Sequence, residues 1–282
     1  MVTEHRFTIE GSDDRPVQMK YLLPDQITGP FPVIISHGFK GFMDWGHFPY
    51  AGRRIAEAGN VVVMFNYSHN GTTPESPAEF ADLELFGRNT YSRELYDLGK
   101  VMDEVESSET LRALGIDTGH MILVGHSRGG GITIVKASED QRVVKLVSWA
   151  PIGSFGAFFG PDEPTLAKWR EEGVLYTLNS RTQQYMPLYY SLYEDVLNHP
   201  DRLNIPKAVK KLNIPWLILQ GTADPTIPYT TAQQLKTFYP AAELVLVEGA
   251  HHNFGGKHPM TEEEMDHHTH RLIEETIRFI RQ

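Results

Sequence analysis

The sequence predicts a doubly wound α/β domain, and three observations carry that prediction. Six short apolar runs recur along a chain of 282 residues, segments of helical period lie between them, and a glycine-rich bend joins one run directly to a helix. Such a length suits a single α/β core with one insertion.

At the amino terminus, alternation in HRFTIEG and VQMKYLLP, split by the turn residues GSDDRP, predicts an antiparallel strand pair at a sheet edge. The pattern then changes. FPVIISHG (31–38), NVVVMFNY (60–67), HMILVG (120–125), VVKLVSWA (143–150), IPWLILQG (214–221) and AELVLVEG (242–249) are almost continuously apolar, as strands covered on both faces are, and are expected to run parallel. Helical period appears over 47–58, over 89–114 with Leu95, Leu98, Met102 and Val105 on one face, and over 128–139, 229–239 and 261–280. One interval breaks this rhythm. Residues 151–211 are too many for a bare loop and carry Phe155, Phe158, Phe159, Trp169, Tyr176, Tyr185, Tyr189, Tyr190 and Tyr193, so a packed cap is expected there. The core is then 1–150 with 212–282.

Composition narrows the function classes. With 40% hydrophobic and 22% charged residues the chain is ordinary globular protein, and a net charge of -10 repels phosphate backbones and anionic lipid. Nucleic acid and membrane surfaces are therefore poor partners, and a small molecule fits better. Zero cysteines exclude disulfides, thiolate metal sites and a cysteine nucleophile together. The opening residues lack the apolar stretch of a signal peptide and no later run approaches a membrane span, so a cytoplasmic location is expected.

The bend is MILVGHSRGGGITI (121–134), in which Gly125-His126-Ser127-Arg128-Gly129 follows a buried strand and opens a helix. A G-x-S-x-G pattern in that setting is the placement of a nucleophile elbow, where Gly125 and Gly129 clear space for a strained serine. Glycines at 129–131 also suit plain helix-on-strand packing or a phosphate cradle, but Ile132 stands where a P-loop needs lysine. A serine nucleophile demands a histidine base and a carboxylate to orient it, following in the order Ser, Asp or Glu, His. Asp224 comes three residues past Gly221 at the end of one strand, and His251 and His252 follow the next. Spacing does not separate the two histidines. Asp224 before a proline also suits a turn or cap, and Asp195 and Asp201 in the insertion are expected at the surface. Acyl transfer further needs donors for an oxyanion: the Arg128 backbone amide is one candidate, and the Phe39 amide in the loop HGFKGF (37–42) is the other.

HGFKG, GHSRGG, GTADPTIP and GAHHNF stand in the order found in the α/β-hydrolase superfamily, which the chain resembles over nearly its whole length. It is most similar to dienelactone-hydrolase-like and cinnamoyl (feruloyl) esterase-like bacterial carboxylesterases, whose elbow often reads G-H-S-x-G-G. The resemblance implies Ser127 as nucleophile, Asp224 as acid, and Phe39 and Arg128 as oxyanion donors. It assigns the base to His252, the fourth place of a G-A-x-H pattern. Dienelactone hydrolases proper use a cysteine, which this chain lacks. The expected reaction is cleavage of a small-molecule carboxylic ester through an acyl-enzyme, with no metal or organic cofactor. A peptidase or amidase on the same fold, or a noncatalytic binding protein, are the rival readings. Phe158 and Tyr189 are candidates for an apolar substrate pocket, and His267, His268 and His270 are expected on a solvated helix face.

Overall fold

The computed structural model describes residues 1–156 and 162–282. The chain begins with β1 (Val2–Glu10), β2 (Pro16–Pro24), β3 (Val33–Ser36), α1 (Phe48–Glu57) and β4 (Val62–Asn66). It continues with α2 (Leu83–Gly87), α3 (Tyr91–Ser107), α4 (Glu109–Ala113), β5 (Met121–His126), α5 (Arg128–Glu139) and β6 (Val143–Trp149). After β6 come α6 (Glu163–Glu172), β7 (Val174–Asn179), β8 (Gln184–Tyr189), α7 (Ser191–Asn198) and α8 (Ile205–Val209). The last elements are β9 (Trp216–Gly221), α9 (Tyr229–Phe238), β10 (Glu243–Val247) and α10 (His267–Arg281).

Eight strands form one sheet in the order β1-β2-β4-β3-β5-β6-β9-β10. β1 and β2 pair antiparallel from Val2 opposite Pro24 to Glu10 opposite Pro16, and β2 is antiparallel to β4. Every other pairing in this sheet is parallel. The apolar runs are continuous because alternate side chains enter two different helical layers. Val63 and Phe65 of β4, with Met121 and Leu123 of β5, pack with Leu95, Leu98 and Ile132 of α3 and α5. Val62, Met64, Ile122 and Val124, pointing the other way, pack with Ile55 of α1 and Leu272 and Phe279 of α10. Each such side chain, fully removed from water, contributes roughly 1.5–3 kcal/mol. The middle of the sheet is thereby held rigid where the bend leaves β5.

Two helix boundaries depart from the pattern in the sequence. The segment expected as one helix over 89–114 is two, because Ser108 adopts extended backbone (φ -62, ψ 107) and its hydroxyl accepts from the Leu111 amide to start α4. The segment expected from 261 opens with a separate helical turn at Glu262–Glu264, and α10 starts only at His267, where Asp266 accepts from the amides of His268 and Thr269.

Between β6 and β9 the chain builds elements that apolar periodicity alone did not indicate. β7 and β8 form a two-stranded antiparallel ladder of their own, Val174 opposite Tyr189 and Asn179 opposite Gln184. Trp169 of α6 is buried and donates its indole N–H to the Leu188 carbonyl at 2.7 Å. Asp195, expected at the surface, is buried instead: its carboxylate accepts from the Ser92 amide at 2.8 Å and hydroxyl at 2.6 Å, tying α7 to the first turn of α3. Asp201 is exposed as expected.

Candidate active site

β5 passes into α5 through Ser127, whose backbone lies at φ 54 and ψ -118. For a residue with a β-carbon that conformation costs about 1–3 kcal/mol and persists only when its surroundings impose it. The surroundings are visible. The Ser127 amide donates to the Trp149 carbonyl at 2.9 Å and its carbonyl accepts from the Ile152 amide at 3.2 Å, so β6 and the residues after it hold the bend from one side. A β-carbon on Gly125 would collide with Thr133 Oγ1 and with the Gly129 carbonyl. One on Gly129 would collide with the His37 carbonyl and lie 2.6 Å from Ser36 Oγ. What these glycines clear is the approach of the first turn of α5 to the ends of β3 and β5.

The loops after β9 and β10 bring two further side chains to the serine. His252 Nε2 lies 2.9 Å from Ser127 Oγ, and His252 Nδ1 lies 2.8 Å from Asp224 Oδ2. With Nδ1–H donating to the carboxylate, Nε2 is left to accept the serine proton. The Asp224 side chain is fully buried and holds more donors than the histidine alone: Oδ1 accepts from the amides of Thr226 (2.8 Å) and Ile227 (2.9 Å), and Oδ2 from Gln220 Nε2 (2.9 Å). Burial works to raise its pKa, but the bonds from His252 and from those amides outweigh it, and the carboxyl sits below its ordinary value. It remains an anion facing the imidazole. His251 is exposed.

The loop after β3 closes the other side. Gly41 N donates to the Gly38 carbonyl at 3.1 Å, turning the chain at Phe39 and Lys40, and a β-carbon on Gly38 would come within 3.0 Å of Ser127 Cβ. Across from it, the Arg128 amide starts α5 and has no carbonyl one turn back within the helix to bond. Phe39 follows Gly38 in that loop, and Arg128 follows Ser127 directly in the chain.

A model of the alpha/beta hydrolase family matches residues 33–266, most of the chain. The chain belongs to that family. Est1E from Butyrivibrio proteoclasticus, in a structure with ferulic acid bound, superposes with a TM-score of 0.74 at 18% identity, covering 97% of each chain. A dienelactone hydrolase from Anabaena variabilis gives 0.63 at 13% identity over 99% of this chain and 97% of that one. Alpha/beta hydrolase domain-containing protein 10 from mouse gives 0.66 at 18% identity over 98% of both. These likenesses establish the alpha/beta-hydrolase fold. No curated protein matches the chain in sequence.

This alpha/beta hydrolase surrounds its bend with groups that no local motif announced. Arg128 points its side chain inward, buried, to pair with Glu94 of α3, whose Oε1 also accepts from Asn89 Nδ2 at 2.8 Å. Burial pushes the Glu94 carboxyl up, the Arg128 charge acting the other way. The Arg128 guanidinium lies 4.8 Å from the Phe39 ring centroid, so one side chain ties the start of α5 to the loop after β3. His126, buried beside the serine, faces the His252 carbonyl with Nε2 at 3.1 Å. Burial holds its pKa well below the ordinary value, and a neutral ring donates that bond. His37 is buried with Nδ1 2.9 Å from the Gly38 carbonyl, bracing the loop.

Two cavities meet at Phe39, which lines both. One, of about 250 Å³, is walled by His252, His126, Trp45, Phe48, Lys40 and Arg181 among others. The other, of about 480 Å³, includes Ile152, Ser154, Thr177, Ile227, Pro228 and Thr231. Tyr189, expected in an apolar pocket, lines neither: its hydroxyl donates to Glu84 and its ring packs on Gly87, so it fastens β8 to α2. Phe158 lies outside the described residues. At α10, His267 and His270 are exposed as expected and His268 is half-buried, and ligand atoms of Asp266, His267 and His268 lie within 4.8 Å of one another. Asp266 there accepts the first amides of the helix, and His268 Nε2 faces the Glu248 carbonyl at 3.1 Å, which accounts for the grouping as a cap. Among the described residues, no helix is long and apolar enough to cross a membrane.

Proposed function

We propose that this hydrolase is a serine carboxylesterase, with Ser127 as nucleophile, His252 as base and Asp224 as the orienting acid. The observation that carries this reading is the chain of two contacts, 2.9 Å from Ser127 Oγ to His252 Nε2 and 2.8 Å from His252 Nδ1 to Asp224 Oδ2. In the first step His252 takes the hydroxyl proton as Ser127 Oγ attacks the ester carbonyl, and Asp224 stabilises the imidazolium. The amides of Phe39 and Arg128 receive the developing oxyanion. His252 then gives its proton to the leaving alcohol, and the acyl-enzyme yields to a water that the same histidine activates. Each step uses groups of the chain alone. Residues 151–211 form the cap in this reading, with the β7–β8 hairpin over the serine edge of the sheet. Apolar walls at Trp45, Phe48 and Phe39, together with the ferulic acid bound in Est1E, favour small aromatic or acyl esters over peptides.

The test is a panel of p-nitrophenyl esters of increasing acyl length, with methyl ferulate and an amino-acid anilide beside it. Esters should turn over and the anilide should not. Ser127→Ala should lower kcat on the order of a millionfold and abolish labelling by a fluorophosphonate. Most activity surviving that change, or preference for the anilide, would end the proposal.

A further inference from the structure

Where the inserted hairpin meets the loop after β3, two cations face one cavity without a carboxylate. Lys40 has φ 55, a left-handed conformation that a side chain makes unfavourable, and its ammonium reaches across to the hairpin. It donates to Thr177 Oγ1 and to the Leu178 carbonyl, both at 2.9 Å. An ammonium carries three donors, so one remains for another acceptor. Arg181, at the hairpin turn, holds its guanidinium 5.7 Å from the ring centroids of both Phe42 and Phe80. Those rings fix its position without neutralising it. Arg142 elsewhere in the chain meets three carboxylates, whereas among the described residues neither Lys40 nor Arg181 has one within 4 Å. Burial lowers the pKa of both, and no acidic group acts to raise either. Asp44, the acid that faces neighbouring His258, is committed to Lys20 and Arg6.

Both cations line the cavity that also contains His252, whose remaining described walls include Trp45 and Phe48 and no Asp or Glu. The proton for the leaving alcohol comes from the histidine, so the alcohol part of an ester belongs on the side that His252 lines. We propose that Lys40 and Arg181 form an anion subsite for a carboxylate on the alcohol part of the substrate. The preferred substrate class is then an ester of an apolar hydroxycarboxylic acid. Its spacer lies against Trp45 and Phe48, its ester carbonyl lies at Ser127, and its free carboxylate reaches the hairpin turn. Water adds across the ester bond, releasing the carboxylic acid and the hydroxycarboxylate. This inference rests on the esterase reading and deepens it.

The experiment compares 4-butyryloxybenzoate with its methyl ester, each rate referred to that ester's hydroxide-catalysed hydrolysis so that leaving-group reactivity cancels. Wild-type enzyme should favour the anionic ester at least tenfold in kcat/KM, mainly through KM, with the advantage shrinking as salt rises. Arg181→Gln should bring the ratio near unity, while Arg53→Gln, which removes an exposed charge on α1, should leave it as in wild type. Equal use of both esters by wild type, or a ratio unchanged in Arg181→Gln, overturns the subsite and leaves the esterase reading standing. A binding readout separates the opposite case. In calorimetric titration of wild type, 4-hydroxybenzoate should bind at least tenfold tighter than methyl 4-hydroxybenzoate, and Arg181→Gln should erase the difference. That result with neither ester cleaved would keep the subsite and remove the esterase reading, and no difference in binding overturns the subsite.

Discussion

Replacing Asp224 by asparagine keeps shape and volume but reverses one hydrogen-bond direction, and the structure dictates which one. The amides of Thr226 and Ile227 both donate to Oδ1, so the asparagine oxygen must stay there, since the alternative sets an NH₂ group against two N–H donors. The new Nδ2 therefore faces His252 Nδ1, where it donates. To accept, the imidazole must move its proton to Nε2, which then points N–H at Ser127 Oγ and no longer serves as a base. The fold has a way to absorb the rest of the change. Gln220 donates Nε2 to Asp224 Oδ2 and to the Ile227 carbonyl, while its own Oε1 is buried without a partner among the described residues; an amide flip gives the introduced side-chain amide an acceptor but turns Oε1 against the Ile227 carbonyl. Stability should thus fall by about 1–3 kcal/mol, the range for one buried group left without its donor. A wrong tautomer in a serine triad lowers kcat roughly ten-thousandfold, about 5 kcal/mol of barrier. Burst titration with a p-nitrophenyl ester, beside urea melts, reads both quantities. Turnover within tenfold of wild type in a folded Asp224→Asn protein would refute the tautomer argument.

Packing, charge burial and protonation each supply one more measurable outcome. Gly129→Ala forces a β-carbon into the His37 carbonyl and Ser36, both on the strand side, and should destabilise by about 3 kcal/mol in urea melts, at the top of the overpacking range; a loss under about 1 kcal/mol would contradict the close approach. Glu94→Leu leaves the buried Arg128 charge alone and should remove about 3–5 kcal/mol, much of it recovered in the double variant Glu94→Leu, Arg128→Met, which a double-mutant cycle measures. The wholly buried imidazoles of His37 and His47 are held down at about 4 by burial, against 6.5 in the unfolded chain. As pH falls below 6.5 the unfolded chain takes up these protons and the folded one does not until about 4. Stability present above about 6.5 is therefore lost across that window, about 3 kcal/mol for each histidine, and urea midpoints that stay level between about pH 6.5 and 4.5 would argue against it.

Much of this molecule is written in local order. Apolar runs at 31–38, 120–125 and 214–221 become covered parallel strands because a side chain pointing either way meets a helix layer, a property of the residues themselves. The bend at Ser127 is equally legible, since only residues without a β-carbon fit at 125 and 129 once a strand turns straight into a helix. The order of Asp224 and the His251, His252 pair after successive strands needs nothing beyond the chain.

What the tertiary structure decided is everything that depends on distant partners. Which of two adjacent histidines meets Ser127 is set by how the loop after β10 leaves the sheet, and only His252 comes within 2.9 Å. Glu94 and Arg128 are separated by 34 residues and Asp195 and Ser92 by 103, so no periodicity marks these pairs, and a charge that looks solvated in the sequence proves buried once its partner folds against it. Tyr189 fastening β8 to α2, and Lys40 with Arg181 facing one cavity, arise the same way. Steric rules act between neighbours and can be read along the chain, whereas hydrogen bonds and charge pairs are satisfied by whatever the fold brings within about 3 Å.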